Sequence, residues 1–197
     1  MRIGILGPTR DETALREAVS FLFLDVDAEQ IVFLGDADFL DDTTGRWARE
    51  LAGAGEPDFL ARAVEVACGG DAAAIDSLLS RDDLGARLGR VRKLPPPPAR
   101  AIELVDDRVV LFVHDKGVLD EEDIANAHLI VHGAGPKWEL KKFGKRIFFS
   151  PGHAEGGEVG VIESDDAGVS VAVFDLGGRP VLREALAAAQ SKVTVAS

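Results

Sequence analysis

The sequence is poor in the features that mark several classes of protein. Its single cysteine, Cys68, excludes an internal disulfide. Aromatic residues make up only 6% of the chain, and no apolar run approaches the length needed to span a bilayer. No charged segment followed by an apolar one precedes the first predicted strand, so we expect no secretory leader and a cytoplasmic protein without a membrane segment.

Positive charge is also scarce. The chain has 22 Lys and Arg against 34 Asp and Glu, which gives a formal net charge of -12. Because the resulting long-range field repels polyanions, we expect neither nucleic acid nor an anionic membrane surface as a general partner. Local basic patches remain able to bind anions.

What the sequence does contain is a series of short apolar runs separated by amphipathic stretches, a pattern typical of α/β proteins. Runs at 2–6 and 30–35 predict two buried strands, and Asp11 and Glu12 suit the first turn of a helix after the first strand. TGRWARELAG predicts a short helix ending at Gly53. With 46% hydrophobic residues, the chain can bury one core, so we predict a single domain over 1–197.

The middle of the chain is helical in pattern. Apolar positions at helical spacing predict two or three helices in an insert at about 57–92. Cys68 falls within this pattern and is interpreted as a small buried hydrophobe. Pro95 to Pro98 favour polyproline II and predict a stiff connector.

The second half is rich in strand signals. RAIELVDDRVVLFVHD predicts two strands that turn at Asp106-Asp107, and AHLIVHG, KRIFFSPG and GEVGVIESDDAGVSVAVFDLGGRPV predict further strands. The final LREALAAAQSK predicts a helix that frays into a flexible tail at about 190–197. Both halves together predict two sheets packed face to face with helices outside.

Polar residues follow many of the predicted strands, where ligands gather in such folds. In chain order these loops are Pro8-Thr9-Arg10-Asp11, then Gly35-Asp36 with Asp38, Asp41 and Asp42, then His114-Asp115, His132-Gly133-Ala134-Gly135, and Ser150-Pro151-Gly152-His153.

This order of motifs resembles the calcineurin-like metallophosphoesterases, in the branch of small bacterial and archaeal phosphodiesterases and Vps29-like proteins. VFLGDADFL resembles the GD element of that family and VVLFVHD its lone-histidine strand. AHLIVHGAGPKWELKKFGKRIFFSPG resembles the stretch from GHxH to NPGS, and VGVIESDDAGVSVAVFDLGGRPV the closing hairpin. The resemblance implies an α/β fold of two packed mixed β-sheets flanked by helices, a four-layer α-β-β-α sandwich.

The metal ligands of the family do not carry over. Pro8-Thr9-Arg10 replaces DxH, and Ala134-Gly135-Pro136 replaces the second histidine pair; the remnant ligand positions are Asp36 and His114. Two adjacent divalent ions need a bridging carboxylate and several further donors, so the resemblance implies a degenerate member with no metal cofactor. A guanidinium at position 10 would repel a cation and could pair with Asp36.

Other interpretations of these residues stay open. Asp36 is suited to cap the helix that follows it, and the strand-end histidines are suited to bond neighbouring carbonyls. Alternatively, a rearranged single-ion site for manganese or another divalent metal could draw on Asp36 and His114 together with Asp11, Asp115, His132 and His153. A third interpretation is a receptor for an anionic ligand, anchored by Arg10.

One segment is basic in an otherwise acidic protein. PKWELKKFGKR, at 136–146, combines lysines with aromatic residues, as binding sites for acidic partners do. The predicted interaction residues are Arg10, Trp138, Lys141, Lys142, Lys145 and Arg146. The competing interpretation is a hairpin edge that lysines keep soluble. The sequence therefore favours a protein-interaction module with a protein partner, and its alternative is a metal-dependent phosphodiesterase or phosphatase.

Overall fold

The computed structural model describes residues 1–52, 59–69 and 72–187. Its strands are β1 (Arg2–Leu6), β2 (Gln30–Phe33), β3 (Val91–Lys93), β4 (Ala101–Val105), β5 (Arg108–Val113), β6 (Leu129–His132), β7 (Lys137–Phe143), β8 (Arg146–Gly152), β9 (Glu158–Asp165), β10 (Gly168–Asp175) and β11 (Pro180–Ala185). Its α-helices are α1 (Glu12–Ser20), α2 (Ala37–Leu51), α3 (Phe59–Gly69), α4 (Ala72–Arg87) and α5 (Glu121–Asn126).

The strands form two mixed sheets. The first has the order β11-β10-β9-β1-β2-β3, in which β1 runs parallel to β2 and antiparallel to β9. The second has the order β4-β5-β6-β8-β7, in which β5, β6 and β8 are parallel and both outer strands are antiparallel to their neighbours. Since parallel neighbours end at the same edge of a sheet, this topology collects the loops after β1, β2, β5, β6 and β8.

Three apolar clusters separate four layers. The central cluster packs the sheets against each other, with Ile5 of the first sheet and Phe112 and Phe149 of the second each fully buried. A second cluster joins the first sheet to α1, α2 and α4, and a third joins the second sheet to α5 through Leu111 and Ile130. The predicted α-β-β-α sandwich of two packed mixed sheets is confirmed.

The helices differ from their predicted bounds. α2 begins at Ala37, directly after Asp36, so Asp38, Asp41 and Asp42 lie on a helix rather than in a strand-end loop. The predicted helical segment at about 57–92 contains α3 and α4, but residues 91–93 form β3 because they pair in parallel with β2. Cys68 is exposed, contrary to the prediction, since α3 buries no residue.

The end of the described chain is a strand where the sequence predicts a helix. Residues 182–185 belong to β11, which pairs with β10, and Leu182 packs against the central cluster. Pairing with an open sheet edge overrides the helical propensity of an Ala- and Leu-rich segment. The predicted tail at about 190–197 lies outside the described residues. Among the described helices, none is long and apolar enough to cross a membrane.

Candidate functional site

The strand-end loops meet at one edge of the sandwich, as the parallel topology requires. The amide of Ala154 donates to Pro8 O at 3.2 Å, and the amide of Gly133 donates to His114 O at 3.0 Å. At Gly7 the two sheets approach so closely that an added Cβ would lie 1.6 Å from Gly152 O. Only glycine fits there, so this approach fixes the loops relative to each other.

Asp36 lies in the loop after β2 at this edge, and both of its carboxylate oxygens have partners. Its Oδ1 accepts the amide protons of Asp38 at 2.9 Å and of Phe39 at 3.2 Å, which makes it the N-cap of α2. Its Oδ2 lies 3.2 Å from a guanidinium nitrogen of Arg10. The amides of Phe39 and Asp38, and then Arg10, hold the pKa of Asp36 below its ordinary value.

Two of the other carboxylates cap local turns. Asp11 Oδ1 accepts from the amides of Thr13 at 2.8 Å and Ala14 at 3.1 Å, as the N-cap of α1. Asp115 Oδ1 accepts from the amide of Gly117 at 2.7 Å. Both carboxylates are therefore held by backbone amides two or three residues further along the chain, and these bonds do not draw them towards Asp36.

The histidines point in different directions. His114 Nδ1 lies 3.1 Å from Leu34 O, which joins β5 to β2 across the two sheets. His132 lies on the opposite face: its neighbour Ile130 belongs to the outer cluster, and its charged neighbours are Lys116, Glu139, Asp115 and Lys141. Burial lowers the pKa of His132, whose side chain has an unpartnered Nδ1. His153 is exposed and starts a short 3-10 turn.

These side chains do not assemble into a metal centre in this arrangement. Within 1–52, 59–69 and 72–187, no three His, Cys, Asp or Glu side chains group closely enough to hold an ion. Asp36 is shared between the amides of α2 and the guanidinium of Arg10, and His132 lies on the face of β6 that carries Ile130 of the outer cluster.

One polar pair at the same edge is not evident from the sequence. Thr9 is buried, and its hydroxyl donates to Glu155 Oε1 at 2.6 Å. That bond lowers the pKa of the Glu155 carboxyl. Thr9 also accepts the amide proton of Asp11 at 2.9 Å, so it joins the β1 loop to the turn after β8. The sequence carries no signal for it, because the two partners lie far apart in the chain.

The basic segment forms β7, an edge strand whose side chains alternate between two faces. Trp138 and Leu140 are half-buried against the central cluster. Lys142, on the same face, pairs with Glu184 of β11 at 2.8 Å. This face of β7 is therefore bound to the rest of the protein.

The other predicted interaction residues lie on or beside the outward face. Lys141 pairs with Glu139 at 2.6 Å, and Arg146 donates to Ala125 O at 2.9 Å. Phe143 is 59% exposed and contacts Phe148 edge-on, with ring centroids 5.4 Å apart. Lys145 is exposed in the turn to β8. Lys141, Phe143 and Lys145 thus remain exposed on this side of β7 and its turn.

Among known proteins, this chain resembles solved structures in fold but matches no curated protein in sequence. No protein-family model matches the sequence, and no curated protein matches it either. YfcE, a phosphoesterase from E. coli, matches with a TM-score of 0.54 at 15% identity, over 95% of this chain and 100% of that one. An archaeal phosphodiesterase matches with a TM-score of 0.51 at 16% identity, over 88% of this chain and 100% of that one.

Vps29 from Entamoeba histolytica, complexed with Zn²⁺, matches with a TM-score of 0.47 at 14% identity, over 93% of this chain and 97% of that one. The likeness to YfcE and to the archaeal phosphodiesterase, at such low identity, shows the fold alone, and the fold predicted from the order of the motifs is confirmed.

Proposed function

We propose that this chain, which has the calcineurin-like metallophosphoesterase fold, acts as a protein-interaction module and does not perform two-metal hydrolysis. The observation that carries the proposal is the pairing of Arg10 with Asp36, 3.2 Å apart at the edge where the strand-end loops meet. A guanidinium in this place supplies a positive charge beside the carboxylate without a metal.

The chemistry of hydrolysis supports the same conclusion. Two-metal phosphoester hydrolysis needs ions that activate water and neutralise the phosphate. Here Asp36 offers one oxygen to the amides of α2 and the other to Arg10. A cation entering this edge would meet the Arg10 charge first, since that side chain is 83% exposed. The fold is kept, whereas of the family's ligand positions only Asp36 and His114 keep a donor residue, and Asp36 is engaged by α2 and Arg10.

The proposed contact surface is the outward face of β7 and its turn, formed by Lys141, Phe143 and Lys145. An exposed aromatic ring flanked by lysines suits an acidic partner, because the ring supplies apolar area and the lysines supply charge complementarity. Trp138 is not part of the exposed surface, since it packs against the central cluster. Arg10, which is exposed beside Asp36, is a further candidate contact.

The competing function is a metal-dependent phosphodiesterase with a rearranged or single-ion site. Two observations favour it: Asp36 has a lowered pKa and stays ionised, and His114 is held beside Leu34, two residues before Asp36. This function requires that a metal displace Arg10 from Asp36.

One experiment separates the two functions. Manganese binding to metal-stripped protein is measured by calorimetry, beside hydrolysis of bis(p-nitrophenyl) phosphate with and without manganese, and with YfcE as the active control. We expect neither stoichiometric binding nor turnover. Metal-dependent turnover that Asp36→Asn removes would overturn the proposal and establish the phosphodiesterase.

The contact surface has its own test. Lys141→Glu combined with Lys145→Glu is expected to abolish capture of a partner that the unmodified protein retains, while circular dichroism shows an unchanged fold. The matched control is Arg49→Glu combined with Arg90→Glu, which makes the same change of charge at exposed positions on α2 and just before β3, away from β7. Equal loss in both variants would count against this surface.

A further inference from the structure

β4 is an edge strand with an unprotected side. It pairs with β5 alone among the described strands, so one row of its backbone amides and carbonyls has no strand partner there. Its sequence, AIELV, contains no lysine, arginine or proline, the residues that usually block pairing at a sheet edge. Such an edge can accept an added strand.

The outer face of β4 is apolar and open to solvent. Ile102 is 62% exposed and Leu104 is 68% exposed, and both side chains point to the same face because they are two residues apart. Ala101, Glu103 and Val105 point inward, where Val105 is buried and Glu103 pairs with Arg92 of β3. The apolar strip is therefore a surface feature and does not belong to the core.

A groove continues this strip towards α5. It has a volume of ≈ 330 Å³, and Ile102, Val109 and Leu111 contribute its apolar lining. Its charged lining residues are Asp120, Glu122 and Asp123 against Arg100 alone. Arg100 pairs with Asp123 at 2.6 Å and more distantly with Asp120 at 3.5 Å, so three carboxylates against one guanidinium leave the groove with a net negative charge.

We infer that the β4 edge and this groove bind an extended segment of another protein in which every second position is apolar or basic, so that apolar side chains and lysine or arginine share one face of the added strand. The segment adds to the second sheet as a strand beside β4. Its apolar side chains cover Ile102 and Leu104, and its basic side chains approach Asp120 and Glu122. Main-chain hydrogen bonds hold the segment, and the side chains on its outer face select it.

Charge excludes a second copy of the chain as the favoured occupant. A symmetric pairing of two β4 strands would place two acidic grooves side by side, each on a chain of net charge -12. Like charges across an interface oppose association. A basic segment meets the same surface with complementary charge. The inference goes beyond the proposed function, since it holds whether or not the strand-end edge hydrolyses phosphoesters.

The test uses the full chain and two capped, fluorescein-labelled peptides, one with the repeat Val-Ser-Lys-Ser and one with the repeat Val-Ser-Glu-Ser, so that valine and the charged residue share one face of an extended strand. Fluorescence anisotropy measures binding. The test variant is Ile102→Lys with Leu104→Lys, which adds edge-blocking charges. The matched control is Leu60→Lys with Val64→Lys, which adds the same charge on α3, where these side chains are 71% and 55% exposed.

We expect the lysine peptide to bind the unmodified protein and the control, and to bind the test variant about tenfold or more weakly. Amide shifts in nuclear magnetic resonance spectra should locate it at β4. Equal weakening in both variants, equal binding of the glutamate peptide, or no binding would each overturn the inference. A dimer in light scattering that the test variant dissociates would identify a second copy as the occupant, and would also overturn it.

Discussion

The two edge strands of the second sheet present opposite surfaces to solvent. β7 and its turn carry Lys137, Lys141, Lys142 and Lys145, while β4 carries no basic residue and exposes Ile102 and Leu104. On β7 the apolar residues Trp138 and Leu140 face the central cluster. On β4 the large apolar residues face outward. Lysine at an edge discourages strand pairing, so the comparison indicates which edge is open to an added strand.

Both edges are nevertheless tied to the first sheet in the same way. Lys142 of β7 pairs with Glu184 of β11, and Glu103 of β4 pairs with Arg92 of β3. Each ion pair closes one side of the gap between the sheets. The edges therefore share their attachment to the core and differ in what they present outward.

The largest expected effect comes from placing the same substitution on both edges. Leu140→Lys should lower the free energy of unfolding by about 2–3 kcal/mol, because it puts an ammonium against the central cluster. Leu104→Lys should change it by less than about 0.5 kcal/mol, since that side chain is already largely in water. Urea denaturation measures both. Equal losses would show that β4 is covered in solution.

A smaller effect is expected from the two ion pairs that join the sheets. Double-mutant cycles on Lys142→Met with Glu184→Gln, and on Arg92→Met with Glu103→Gln, should each give a coupling of about 0.5 kcal/mol. Both pairs are partly exposed, so the coupling should decrease in 1 M salt. A coupling energy at one edge only would show that just one of the two ion pairs stabilises the packing of the sheets.

The smallest expected effect is a change in the pKa of one carboxyl group. One carboxyl at each edge has a lowered pKa, and the two shifts have different causes. Lys141 lowers the pKa of Glu139 on β7, whereas the hydrogen bond from the Asp123 amide is the main cause of the lowered pKa of Asp120 in the β4 groove. Lys141→Met should return the pKa of Glu139 towards its ordinary value and leave that of Asp120 unchanged. Carboxyl shifts followed by nuclear magnetic resonance during a pH titration measure both.

The sign of the stability change follows from the same two shifts. Each carboxyl has a folded-state pKa below its ordinary value, 4.5 for Glu139 and 3.8 for Asp120. Its contribution to stability is therefore complete above the ordinary value and is lost as the pH falls through the lower folded-state pKa. In Lys141→Met, the loss of stability at acid pH that comes from Glu139 should disappear, and the loss that comes from Asp120 should remain. An unchanged acid profile would contradict the assigned cause.

Local sequence determined the elements whose signals are local. Apolar runs predicted the central strands, Asp106-Asp107 predicted the turn between β4 and β5, and Asp36 was recognised as suited to cap the helix that follows it. The ordered motifs also predicted the fold. Each of these depends on neighbouring residues or on the order of strands, and both are written directly in the chain.

Tertiary structure decided which way side chains face and what they meet. A shift of one residue would exchange the two faces of β7, so only its pairing with β8 places Trp138 against the core. In the same way His132 faces away from Asp36, and 182–185 form a strand because β10 offers an open edge. The sequence by itself determined the strands and their order, whereas the site depended on register and packing between distant segments.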